Sequence, residues 1–253
     1  MSKEPLAAKV ALVTGAGRNM GREIALGLAT SGTAIAVNVR SSVQEGQSVV
    51  DEIKARGGRA LLCVADVADQ QAVLHMVANI EDQWGRLDVL VNNAAVRRES
   101  KLDDISADDW HRTLAIILDG AFFCTQAALP LLRRSGQPTI VNIGGMTGHT
   151  GAANRLHVVT AKAGLTGMTR ALAHELAPDG ITVNCVSPGM IDAVRHAASS
   201  SVNPDHRRRH HTLLARHGTA SDVAQTVAWL AGEGARFVTG QVIHVNGGAY
   251  LGG

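Results

Sequence analysis

The chain has 253 residues and a formal net charge of +2, from 24 Lys and Arg against 22 Asp and Glu. That near-balance argues against a nucleic-acid or membrane-surface partner. Hydrophobic residues make up 45% of the chain but aromatics only 3%, and there are 27 glycines. Val, Ala and Leu must therefore build the core, as in a parallel sheet buried on both faces, and the length suits one large α/β domain. The opening stretch M-S-K-E-P-L-A-A-K has no apolar signal segment, and no run is expected to be long enough to span a bilayer. Cys63, Cys124 and Cys185 lie far apart in apolar stretches, which suggests buried reduced thiols in a cytoplasmic protein. No metal site is expected.

Val10 to Gly21 reads V-A-L-V-T-G-A-G-R-N-M-G, a short apolar strand running straight into a glycine-rich turn. Arg22 to Ser31 follows with apolar residues at Ile24, Leu26, Leu28 and Ala29, a helical pattern. Strand, glycine turn and helix start together make a phosphate site. Glycine lets the backbone approach a pyrophosphate, and the helix start offers free N–H groups and partial positive charge. T-G-A-G-R-N-M-G resembles the T-G-x-x-x-G-x-G turn of the short-chain dehydrogenase/reductase family. Thr14, Gly15 and Gly21 match. Asn19 replaces the middle glycine, and asparagine tolerates positive φ better than most residues. The resemblance implies cofactor contacts at Thr14, Gly15, Arg18, Asn19, Met20 and Gly21, and it extends over nearly the whole chain.

Thr33 to Val39 is expected to be a second strand, ending in Arg40-Ser41-Ser42. In a dinucleotide fold this strand end lies beside the adenosine ribose. An acid there binds a 2′-hydroxyl, and an arginine accommodates a 2′-phosphate. No acid occurs between Asn38 and Ser42, so Arg18 and Arg40, with Ser41, favour NADP(H) over NAD(H). Simple solvation of both arginines is the competing reading. Gln44 to Arg56 reads as a helix and Arg59 to Ala65 as a third strand, followed by Asp66-Val67. The family places an aspartate there against the adenine, which Asp66 matches. Asp69 is the better cap for the next helix, Gln70 to Trp84. Leu87 to Val91 runs into Asn92-Asn93-Ala94-Ala95, similar to the family's N-N-A-G, so Asn93 and Ala94 are expected at the cofactor.

Ser106 opens a helix with capping-box-like spacing, which is expected to run to about Arg134. Thr139 to Ile143 is a fifth strand. Asn154 to Ala177 is a long helix with an apolar stripe at Ala161, Leu165, Met168, Leu172 and Leu176. Ile181 to Val186 is a sixth strand, ending in Ser187-Pro188-Gly189. Ala220 to Ala231 is the last helix, and Phe237 to Val245 holds the final strand. The alternation predicts a single-domain, Rossmann-type, doubly wound parallel sheet of about seven strands with helices on both faces. Residues 190–217 are the one irregular insert, where the family carries a substrate-covering flap.

The family transfers hydride between a nicotinamide and a carbonyl or alcohol. A tyrosine passes the hydroxyl proton, a lysine four residues later lowers its pKa and holds the nicotinamide ribose, a serine positions the carbonyl, and an asparagine holds a relay water. Lys162 matches the lysine. The tyrosine position falls on Val158, the serine on Gly145 and the asparagine on Ile117. After Pro188-Gly189 and Ile191, the nicotinamide-amide threonine falls on Ala193. The only tyrosine, Tyr250, cannot fill the helix position by sequence spacing. The adenosine and phosphate end is thus kept, and the reactive end is lost except for Lys162.

His149, four residues after the vacated serine position, is the first choice for a replacement proton donor, because histidine titrates near neutral pH. His157, beside the vacated tyrosine position, is the second. A surface or interface role stays open for both. Asp192 is a further titratable candidate. The cluster D-H-R-R-R-H-H from Asp205 to His211 suits an anionic substrate or a solvated face. Three functions follow: an NADP(H)-dependent oxidoreductase with a rebuilt acid site, a cofactor-binding protein without dehydrogenase chemistry, and a non-redox enzyme in the emptied pocket. The two long helices and the A-Y-L-G-G tail resemble the family's subunit contacts and imply a homodimer or homotetramer. The expected partner is a small-molecule substrate.

Overall fold

The structure, a computed structural model, describes residues 8–192 and 211–252. The first half alternates as expected: β1 (Val10–Val13), α1 (Asn19–Thr30), β2 (Ala34–Val39), α2 (Val43–Ala55), β3 (Ala60–Val64), α3 (Gln70–Trp84) and β4 (Val89–Asn92). Next come α4 (Ala107–Leu114), a π turn over Ala115–Asp119, α5 (Gly120–Leu132), β5 (Thr139–Ile143), α6 (Thr147–Thr150), α7 (Leu156–Leu176) and β6 (Thr182–Pro188). The last elements are β7 (Ile191–Asp192), β8 (Gly218–Thr219), α8 (Ala220–Leu230) and β9 (Val242–Val245). Seven strands form one sheet in the order β3-β2-β1-β4-β5-β6-β9. All of its pairs are parallel.

Side chains alternate across a strand, so each strand feeds two cores. Val10 and Leu12 of β1 join the layer beneath α3, α5 and α7. Ala11 and Val13 join the layer beneath α1, α2 and α8. That is why β1 can be V-A-L-V with no polar position. Helix starts are fixed by side chains that take up otherwise orphaned N–H groups. Asp69 accepts from Gln71 and Ala72, Ser106 accepts from Asp109, and Thr219 and Asp222 form a reciprocal capping box.

Five expectations need correction. The helix expected over 106–134 is interrupted by the π turn at 115–119, just where Gly120 passes so close to Val67 that a Cβ would lie 2.7 Å from its Cγ2. The helix expected from Asn154 starts at Leu156, because Asn154 takes φ +60. The last strand is shorter than Phe237 to Val245, and Phe237 itself is fully exposed. The insert at 190–217 has ordered ends, since β7 pairs with β8, while residues 193–210 of the expected flap lie outside the described residues. All of the basic cluster except His211 lies there too, as does Ala193. Finally, Ala107–Leu132 is, by length and composition alone, long and apolar enough to cross a membrane. In this fold it covers the sheet, with Ile117, Cys124, Ala128, Leu131 and Leu132 in the core.

A ladder of buried polar residues ties the carboxyl ends of the strands together. Asn92 donates to Asn142 Oδ1 at 2.9 Å, and Asn142 donates to Thr169 Oγ1 of α7, also at 2.9 Å. Asn38 of β2 donates to Ala65 O at 3.0 Å beyond β3 and accepts from Gly15 N at 3.2 Å. Orphaning one such buried group costs about 1–3 kcal/mol, so the ladder holds these strand ends in fixed register.

Candidate functional site

The order reverses direction between β1 and β4, and a parallel sheet opens a crevice there. The glycine turn sits in it. Thr14 Oγ1 accepts from Asn93 N at 2.9 Å and Ala94 N at 3.0 Å. Asn93 Nδ2 donates back to Thr14 O at 2.8 Å and Gly15 O at 3.1 Å. Gly15 has φ +62, and Asn19 takes the left-handed conformation at φ +50. A Cβ on Gly21 would lie 2.3 Å from Gly15 O, so the turn folds only with glycine there. Arg18 makes no side-chain cap on α1, and the first turn of α1, with Asn19, Met20 and Gly21, holds no acid. Its N–H groups suit a pyrophosphate. The turn therefore fits the dinucleotide that the sequence implies.

A cleft lined by Gly17, Arg18, Asn19, Glu45, Asp192 and Ser221 continues from this turn. Arg18, which lines it, and Arg40 at the end of β2 are both exposed. Sequence spacing found no acid near them, but the fold brings Glu45 to 4.0 Å from Arg18. Asp66 accepts from Ala68 N at 3.1 Å and pairs with Arg112 at 2.8 Å. Burial works to raise its pKa, but these bonds and the charges of Arg112 and Arg40 outweigh burial and hold it below the usual range. Ser41 is exposed, and Val67 is buried beside Gly120.

At the reactive end, Lys162 donates from Nζ to Ile143 O at 2.5 Å, at the tip of β5. Burial pulls its pKa down to about 8; Cys185 opposes this, and the charges of Arg97 and Arg155 add to it. Val158 is 3% exposed and Ile117 2%, so both positions are buried hydrocarbon. Gly145 is open: a Cβ there would meet nothing nearer than Lys162 Cγ at 4.0 Å. Pro188 O accepts from Met146 N, and Gly189 N donates to Val245 O, both at 2.9 Å. A Cβ on Gly189 would lie 2.5 Å from that of Asn246. Ile191 is buried and Asp192 bonds His217 at 2.9 Å.

The two histidines lie in different surroundings. The His149 ring centroid is 4.9 Å from that of His244 and 5.8 Å from that of Tyr250. Its pKa is lowered by burial and by the charge of Arg170, two turns beyond Lys162 on α7. His157 is fully buried, and neither ring nitrogen has a partner among the described residues. Burial again lowers its pKa, with Asp109 opposing and Arg155 and Arg98 adding. Sequence reasoning missed Asn38, Asn142 and Asn246, and it missed Arg97 and Arg155. A polar residue at or just past the carboxyl end of an otherwise largely apolar strand was the available signal for the asparagines.

Fold and site together define a nucleotide-binding α/β protein whose phosphate turn, strand-end asparagine and helix lysine converge on one crevice. The family model described as Enoyl-(Acyl carrier protein) reductase matches residues 15–250. The chain is 42% identical over 243 residues to a 3-oxoacyl-[acyl-carrier-protein] reductase of Staphylococcus aureus, covering 96% of this chain and 98% of that protein. It is 40% identical over 248 residues to a (2S)-[(R)-hydroxy(phenyl)methyl]succinyl-CoA dehydrogenase subunit of Thauera aromatica, covering 96% and 97%. A short chain dehydrogenase from Burkholderia cenocepacia, solved in complex with NADP, superposes with a TM-score of 0.89 at 36% identity, covering 97% of this chain and 99% of that one. The chain belongs to the short-chain dehydrogenase/reductase family.

The histidines generate a stability prediction. His149, His157 and His244 all have lowered pKa in the fold, chiefly through burial. The unfolded chain takes up these protons near the ordinary histidine value of about 6.5, before the folded chain does. Their contribution to stability is therefore full above that value and is lost as pH falls below it. Thermal melts should show a lower Tm at about pH 5.5 than at about pH 7.5, and His157→Asn should flatten the difference. A Tm that rises on acidification would contradict this.

Proposed function

We propose that the chain is an NADP(H)-dependent oxidoreductase acting on a carbonyl or alcohol, with a proton donor that is not residue 158. NAD(H) is the weaker alternative cofactor. The observation that carries the reading is Lys162, held by Ile143 O at the strand tip with its pKa pulled down to about 8. When bound, the reduced nicotinamide supplies a hydride to the carbonyl carbon. Lys162 then gives its proton to the developing alkoxide, a role for which a pKa near the working pH is best suited. Lys162 is preferred to the histidines because His149 packs on His244 and Tyr250, and because His157 is fully buried. A second reading, cofactor binding without turnover, is favoured by the hydrocarbon at Val158 and Ile117.

Of the two relatives, one is named for a 3-oxoacyl-[acyl-carrier-protein] and the other for a hydroxy(phenyl)methyl-succinyl-CoA, which supports a carbonyl or alcohol substrate. The three free, buried cysteines support a cytoplasmic protein. Exposed apolar residues such as Phe122, Leu156 and Leu251 support a homodimer or homotetramer, against which a concentration-independent monomer in light scattering would stand.

Arg40 should confer the cofactor preference. Calorimetry should find NADPH bound more tightly than NADH, with Arg40→Ala losing about tenfold for NADPH alone, roughly one charge-assisted bond. Equal affinities, or an unchanged Arg40→Ala variant, would refute it. The alkaline limb separates the donors. For carbonyl reduction, kcat/KM should stay level below about pH 8 and fall above it, because the lysine must carry its proton. A limb at or below the ordinary histidine value of about 6.5, abolished in His149→Ala, would assign the proton to His149 instead.

A further inference from the structure

Three aromatic side chains from distant parts of the chain meet beside the reactive end. His149 is on α6, His244 on β9, and Tyr250 on the tail that follows β9. The His149 and His244 ring centroids lie 4.9 Å apart at 75°, and those of His244 and Tyr250 5.0 Å apart at 72°. Tyr250 stacks on His149 at 5.8 Å and 19°, so each ring touches both others. The tail is bent back to make this contact. Asn246 Nδ2 donates to Tyr250 O at 2.7 Å, and a Cβ on Gly252 would lie 3.8 Å from His244 Cδ2. On its other side α6 bears on α7, since a Cβ on Gly148 would lie 3.0 Å from the carbonyl carbon of Lys162. Gly148 N also donates to Gly145 O at 2.9 Å, which puts His149 one turn beyond that open position.

We propose that His149, His244 and Tyr250 form an acid-sensitive latch on residues 250–252, closed against α6 while both imidazoles are neutral and opened when both take a proton. The inference does not rest on the oxidoreductase reading. Among the described residues, the charged and titratable groups around the pair are Arg170 and Lys162 on α7 and Tyr250 on the tail. β6, paired with β9 from Cys185↔Val242 to Pro188↔Val245, adds a thiol kept neutral by burial. The loop bonded to Gly247 carries His211 and Arg216, the latter paired with Asp222. Neither imidazole of the pair has a carboxylate partner among these, and His244 Nδ1 is buried without a hydrogen bond. Burial and Arg170 hold the pKa of His149 down, and burial and His149 hold that of His244 down. One proton can rest against the π face of Tyr250. A second makes cations of two rings whose centroids are 4.9 Å apart, with no anion to offset them. Parting the rings returns both histidines to the ordinary value of about 6.5, so acid favours the open form. An opening that takes up two protons shifts the balance by at most about a hundredfold per pH unit.

Tyr250 is the only tyrosine in the sequence, so fluorotyrosine incorporated into the full chain labels the latch alone. Its fluorine resonance is followed from about pH 7.5 to about pH 5, where histidines titrate and the phenol does not. Emission from Trp84, Trp110 and Trp229 in the same samples reports the fold as a whole. The resonance should move toward that of free fluorotyrosine with a midpoint below about 6.5, while tryptophan emission holds. The transition should be steeper than the uptake of one proton. His149→Gln and His244→Gln should each reduce it to one proton at most. A resonance that stays in place over the whole range overturns the latch. So does one that moves only as tryptophan emission changes, because that is unfolding of the whole chain. Two glutamine variants that titrate like the native chain overturn it as well. Should a glutamine variant fail to fold, the native titration decides by itself.

Discussion

The exchange of hydrogen bonds between Thr14 and Asn93 is the contact on which the site depends. One hydroxyl accepts two backbone N–H groups at the end of β4, and one side-chain amide returns to two carbonyls at the end of β1. These two strands flank the place where the sheet order reverses, so the exchange pins the floor of the crevice. With the floor fixed, Gly15 and Gly21 can bring bare backbone to the start of α1, and α1 can point its free N–H groups at a pyrophosphate. Asn38, Asn92 and Asn142 extend the same arrangement to β2, β3, β5 and α7. The low aromatic content fits this design, since small aliphatic side chains fill thin layers between sheet and helices and leave the polar work to the strand ends.

The two ends of the crevice differ in chemistry. At the adenosine end, polar and charged groups meet: Arg18 faces Glu45, and Asp66 is held by Arg112 near Arg40. At the reactive end, Val158 and Ile117 are apolar and sealed, and Gly145 leaves open space beside Lys162. A buried lysine whose charge is opposed by two arginines is poised to give up a proton near neutral pH. In a site with a tyrosine, the same lysine would act on the tyrosine instead.

Much of the fold was legible because the signals are local. V-A-L-V before a glycine turn, Asp69 and Ser106 at helix starts, and the strand–helix alternation each follow from backbone sterics and capping. The seven-stranded parallel sheet followed from their order. The π turn was not legible, since nothing in A-I-I-L-D announces that Gly120 must pass against Val67 from a distant loop. The left-handed Asn154 was missed for the same reason: helical pattern continues through it, and only the tie from Ser100 explains its turn. In the site, the turn residues and Lys162 were named from the family resemblance. His149 could be named but not oriented, because its neighbours His244 and Tyr250 arrive from the far end of the chain. Glu45 beside Arg18 is likewise a pairing made only by folding.

The central claim is that a crevice without the tyrosine still moves a hydride. Single-turnover mixing of the NADPH-loaded chain with a panel of carbonyl compounds, followed by nicotinamide absorbance, tests it most directly. The account predicts oxidation of the bound cofactor in one exponential phase by at least one carbonyl, faster when Val158→Tyr and Gly145→Ser are combined beside Lys162. Tight NADPH binding with no oxidation in either the native chain or that double variant would contradict it.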